Sequence, residues 1–132
     1  MNARISTCLM SLACVALVGC GEEEPAAKPE PKPEKVTVKN WQPDDPELQK
    51  GKAVYDATCA LCNGDGEEGA PRLNNKKQWA ARRDKGLDTL IKHAIEGFHG
   101  DSGDMPARGD NASLTDEEVA NAVRFMVEAS KL

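Results

Sequence analysis

The sequence predicts a small all-α domain over residues 45–132, on three observations. Helix-start signals stand at Asp45-Pro46 and at Thr115, apolar residues recur at helical spacing between them, and no alternating stretch is long enough to argue for a sheet. Asp45 supplies an N-cap acid and Pro46 a first helical residue with fixed φ. Leu48, Gly51, Val54, Tyr55 and Thr58 then follow as one helix up to Cys59. After the glycine-rich acidic loop Gly64-Asp65-Gly66-Glu67-Glu68-Gly69, a short basic helix around Lys77 to Arg83 carries Trp79. Leu87, Leu90, Ile91, Ala94 and Ile95 form an apolar stripe that Gly97 ends as a C-cap. Thr115-Asp116-Glu117-Glu118 is a capping box, and its helix is expected to bury Val119, Ala122, Val123, Met126 and Val127.

The 132 residues are not all one domain. Residues 1–19 carry Arg4 and then an apolar run from Cys8 to Val18, too short for the 17–25 residues that a spanning helix needs. That pattern is an export signal. Leu17-Val18-Gly19-Cys20 resembles the bacterial lipobox, which makes Cys20 the lipidated first residue of the mature chain, anchored in a membrane. Gly21 in place of an aspartate favours the outer membrane over the inner, on the periplasmic side. Residues 20–44 alternate proline with charge, a composition that cannot bury a core and stays an extended, disordered tether.

Composition narrows the functional classes. The formal net charge is −5 and loses Arg4 with the signal, and no basic patch has interleaved aromatics. Nucleic acid is therefore not an expected partner. Trp41, Tyr55, Trp79, Phe98 and Phe125 are the only aromatic residues, so the core is thin and calls for a metal, a disulfide or a cofactor. Of five cysteines, Cys8 and Cys14 leave with the signal and Cys20 takes the lipid. Cys59 and Cys62 remain, able to bond each other or to share one prosthetic group.

Cys59-Ala60-Leu61-Cys62-Asn63 is the chemical centre of the chain. Cys-x-x-Cys alone serves zinc, a redox-active disulfide or haem. Thioredoxin-type chemistry is disfavoured because no βαβ pattern surrounds the pair, and zinc would need both histidines to converge on the thiolates. In a Cys-x-x-Cys-His run, two thioethers hold haem and the next residue ligates its iron.

The segments around the pair sharpen the choice. Gly51-Lys52-Ala53-Val54-Tyr55, Gly69-Ala70-Pro71-Arg72-Leu73, Trp79, the helix Leu87 to Gly97, Met105-Pro106-Ala107-Arg108-Gly109 and Leu114 to Met126 arrive in family order. Together they resemble the class I c-type cytochromes, and within them the cytochrome c5 branch, over residues 45 to 130. The resemblance implies one covalent haem c, electron transfer with redox protein partners, and no enzymatic activity. It implies thioether attachment at Cys59 and Cys62 and a distal iron ligand at Met105. It also implies a proximal ring oriented by the Pro71 carbonyl, Trp79 and Arg72 near the haem propionates, and a close helix crossing at Gly51 and Phe125. The second cysteine pair that the branch often carries is absent, since that stretch reads Asn111-Ala112-Ser113-Leu114.

One residue departs from the pattern. Asn63 stands where the family has its proximal histidine, and an amide is a weak donor to iron. His93 and His99 are the only imidazoles able to substitute, and the plainer reading of both is an exposed or hydrogen-bonded side chain. Three readings follow. They are an electron-carrying cytochrome, a haem-free binding or structural lipoprotein with a Cys59–Cys62 disulfide, and a haem protein with an open coordination site of peroxidase-like or gas-sensing type. The anchor is tested by Cys20→Ser, which is expected to remove the lipid and shift the protein out of the membrane fraction. Unchanged partition of that variant would refute the lipobox.

Overall fold

The computed structural model describes residues 37–132. The export signal, Cys20 and the tether up to residue 36 lie outside the described residues. Helix α1 spans Pro46–Val54, passes through a π-helical turn at Tyr55–Cys59 and continues as α2, Ala60–Asn63. The loop after it holds a 3₁₀ turn at Glu67–Gly69 and leads to α3, Lys76–Arg83, and α4, Leu87–Glu96. Strands β1, Phe98–Gly100, and β2, Gly103–Met105, form an antiparallel hairpin, followed by a 3₁₀ turn at Ala107–Asp110 and by α5, Asp116–Ala129.

The caps form as the residues dictate. The Asp45 carboxylate accepts the backbone N–H of Glu47 at 2.7 Å and of Leu48 at 3.2 Å, satisfying donors that a helix start leaves open. At α5 the capping box closes both ways: Thr115 Oγ1 accepts from the Glu118 N–H, and the Glu118 carboxylate accepts from the Thr115 N–H. Those hydrogen bonds lower the Glu118 carboxyl pKa below its ordinary value. Val119, Ala122, Val123 and Met126 are buried as the spacing requires, while Val127 is only half-buried.

The core has two connected parts. Tyr55, Leu73, Trp79, Phe125, Met126 and Ala129 form one, and Ala94, Val119 and Val123 form the other, with Leu90, Ile91 and Ile95 against it. Phe125 is wholly enclosed, with Tyr55 tilted against it at 5.3 Å between centroids. Its other neighbour was not expected. Trp41, inside the segment assigned to the tether, stacks on Phe125 at 5.5 Å and an interplanar angle of 15°. Val38 packs on the same core, and the Trp41 N–H donates to the Thr37 carbonyl at 2.8 Å. The packed domain therefore starts before Asp45, because the wide face of Phe125 needs a cover that α1 does not supply.

Two further departures have local causes. The expected single helix to Cys59 widens at Tyr55, where the Ala60 N–H reaches the Tyr55 carbonyl five residues back. The hairpin at 98–105 has three-residue strands, too short to show alternation in sequence, joined by the two-residue loop Asp101-Ser102.

Gly51 faces α5 at the crossing. A Cβ built there would overlap the Asn121 carbonyl and stand 3.1 Å from the Phe125 Cβ. Alanine would gain about 1 kcal/mol in helix propensity, but a backbone carbonyl inside a helix cannot step aside. Gly51→Ala is expected to lose about 2 kcal/mol net, within the range for overpacking. Urea unfolding checks this, and an unchanged midpoint would mean that the helices separate freely.

Candidate functional site

The π turn and α2 carry the two cysteines and Asn63 on one continuous helical rod, so the crossing at Gly51 also fixes the cysteine pair. Tyr55 and Thr58 are buried on the inner side of the turn, and Cys59, Cys62 and Asn63 are half-buried. Cys59 and Cys62 are both free thiols. Burial pushes the Cys59 thiol up to about 11, offset in part by a backbone hydrogen bond, with the neighbouring Cys62 adding to the rise. The group is thus held as a neutral thiol near neutral pH.

Asn63 is tied to the loop that follows. Its Nδ2 donates to the Pro71 carbonyl at 3.0 Å, and its own carbonyl accepts the Leu73 N–H at 3.1 Å. Leu73, only 2% exposed, is the anchor of this loop. Its signal in the sequence was a lone apolar residue between charged and polar ones. Arg72 points away from the core: its Nε donates to the Asp65 carbonyl at 2.7 Å and closes the acidic loop. Trp79 reaches in from α3, is 4% exposed, and donates its indole N–H to the Arg72 carbonyl at 3.1 Å. Arg72 and Trp79 meet through that backbone oxygen, one outside the core and one inside it.

Met105 closes β2, opposite Phe98 in register, and is 38% exposed. Its hairpin is locked to the acidic loop. A Cβ on Gly69, whose φ is +80°, would overlap the Ser102 carbonyl, and one on Gly103 would overlap the Glu68 carbonyl. After Pro106, Arg108 clamps the chain to α5, donating to the Leu114 carbonyl at 2.9 Å and pairing with Asp116 at 2.6 Å. Asn111 joins this loop to the π turn through Nδ2, 3.4 Å from Thr58 Oγ1, and accepts from Ser113 at 2.6 Å. This stretch, with no cysteine, is held by hydrogen bonds.

The two histidines are engaged elsewhere. His93 stacks on Phe98 at 4.2 Å between ring centroids. His99 stands on β1 with its side chain 93% exposed, its Nδ1 3.0 Å from the Asp104 carboxylate across the hairpin.

The comparisons with known proteins agree with this geometry. The family described as cytochrome C oxidase, cbb3-type, subunit III, matches residues 46–126. Cytochrome c-555 of Chlorobaculum tepidum is 51% identical over 81 residues, 61% of this chain and 75% of that protein. Cytochrome c5 of Ectopseudomonas mendocina is 34% identical over 70 residues, 52% of this chain and 76% of its own. A chain from the crystal structure of the electron transfer complex of nitrite reductase with cytochrome c superposes with a TM-score of 0.56 at 30% identity. It covers 65% of this chain and 96% of its own. The chain belongs to the class I c-type cytochrome family, whose members are haem-binding electron carriers rather than enzymes.

The donor set fits that cofactor in part. A thiol pair three residues apart at a helix end suits two thioether bonds, and the Met105 sulfur is a soft donor for iron. Asn63 does not fit the remaining role, because an amide nitrogen has no free lone pair and here it is a hydrogen-bond donor. The raised thiol pKa carries its own test in protein made without haem. Alkylation of Cys59 by iodoacetamide is expected to be slow at neutral pH and to climb through pH 11 as the thiolate forms. A rate already at its plateau by pH 8 would contradict a desolvated thiol.

Proposed function

We propose that this chain is a membrane-tethered periplasmic electron carrier, with one haem c on Cys59 and Cys62 and a lipid anchor on Cys20, in the outer membrane rather than the inner. The observation that carries the reading is the half-buried cysteine pair at the end of a helix fixed by the Gly51 crossing, in a chain 51% identical to a cytochrome c-555. Haem, when bound, supplies a one-electron iron couple.

The chain's own residues do the rest. Cys59 and Cys62 fix the group covalently, each thiol losing its proton to form a thioether with a vinyl carbon. Met105 supplies the distal thioether, held in place by the hairpin's lock on the acidic loop and by the Arg108 clamp. Pro71 and Leu73 hold the proximal side through their bonds to Asn63. Trp79 backs the Arg72 segment from the core side and keeps water out of it. Leu61, between the two cysteines, is 71% exposed and leaves an apolar edge where a redox protein can dock briefly. Partners are redox proteins, and the relative in complex with a nitrite reductase is an example of that class.

The test is export of the protein together with cytochrome maturation genes, followed by intact mass and redox titration. Covalent haem and a reversible one-electron wave are expected, and Met105→Ala is expected to lower the reduction potential because methionine ligation raises it. A haem-free protein whose mass shows Cys59 and Cys62 joined as a disulfide would replace this reading with a structural or binding lipoprotein. A potential unmoved by Met105→Ala would remove Met105 from the ligand set.

A further inference from the structure

The bond from Asn63 to Pro71 has a consequence for the iron-facing side. Histidine and asparagine branch alike at Cγ, and the asparagine Nδ2 occupies the place of the imidazole Nδ1. That atom donates to the Pro71 carbonyl at 3.0 Å, the contact expected of an imidazole N–H at this position. With Nδ2 committed, Oδ1 lies where the imidazole Cδ2 would be, one bond short of the ring's donor atom. Asparagine has no counterpart of Cε1 or Nε2. The side chain therefore keeps the imidazole's attachment to the loop and lacks the atom that reaches iron. Its orientation is fixed twice more, by the Leu73 N–H on its own backbone carbonyl and by the packing of Leu73. His93 and His99 are held by Phe98 and Asp104, so neither enters by a small side-chain rotation.

We propose that Asn63 makes the proximal axial position an exchangeable ligand site for small neutral donors that carry an N–H or O–H, of water or ammonia size, with Oδ1 accepting their hydrogen bond. The site is as deep as the two missing ring atoms, so an imidazole does not fit beside the amide. Oδ1 is the one lone-pair atom that Asn63 offers there, and it selects ligands that can donate to it. This rests on haem being held at Cys59 and Cys62, and it adds to electron carriage a ligand-responsive step: occupancy of the site sets spin state and potential.

The experiment uses the full-length, haem-loaded protein and reads its visible spectrum during ligand titration. The native protein is expected to be high-spin in its ferric form and to turn low-spin with ammonia while keeping the methionine sulfur-to-iron charge-transfer band. Imidazole is expected to bind it poorly. Asn63→Gly opens the whole ring volume, so imidazole should bind that variant about 10–100-fold more tightly than the native protein, again with the sulfur band kept. Asn63→His should be low-spin from the start and indifferent to ammonia.

A haem-loaded native protein that is low-spin without added ligand would overturn the assignment, since another residue would then fill the position. Equal imidazole affinity in the native and glycine forms, or loss of the sulfur band on binding, would also overturn it by placing the ligand on the Met105 side. A native protein that carries no covalent haem would sink the electron-carrier reading as well, which separates the two failures.

Discussion

Everything in the domain is placed by the approach of α1 to α5 at Gly51, where helix backbone meets helix backbone without a side chain between them. Contact at that distance leaves one register and one crossing geometry. Phe125, one turn further along α5 from Asn121, then meets Tyr55, and the π turn starting at Tyr55 carries the cysteines outward. A thin core can be well determined in this way, because the constraint is steric and does not need many apolar residues.

The same economy explains how the loop from Asn63 to Leu73 survives the exchange of a ring for an amide. The fold asks of residue 63 a donor to Pro71 and a carbonyl for Leu73, and asparagine meets both. Iron asks for something different, a lone pair one bond further out. The structural and the chemical requirements at this position are carried by different atoms, so one can be kept while the other is lost.

Much of this was legible in the residues themselves. Asp45-Pro46 and the Thr115–Glu118 box located two helix starts because their chemistry is local: a side-chain oxygen two or three residues from the donors it satisfies. The resemblance named Gly51 with Phe125, and Asn63 with Pro71, as neighbours, and both pairs meet. Features that depend on distant partners were not legible. The hairpin owes its form to glycines meeting carbonyls of another loop. Trp41 was concealed by the proline and charge just upstream of it, and its partner Phe125 lies 84 positions further along the chain. An amide making the bond of an imidazole was hidden because the family pattern at residue 63 is defined by metal ligation.

The Trp41 stack also changes how far the electron-carrying head can travel. For a chain anchored at Cys20, the free leash is counted to Thr37 and not to Asp45, since residues 37–44 are gathered onto the head by Trp41 and Val38. At about 3.1 Å per extended residue, those eight positions take roughly 25 Å from the radius it could sweep. They also move the point of pull from the tip of α1 to the face of Phe125. A partner embedded in the same membrane is met more often by a head on a shorter leash, and a partner beyond that radius is not met at all.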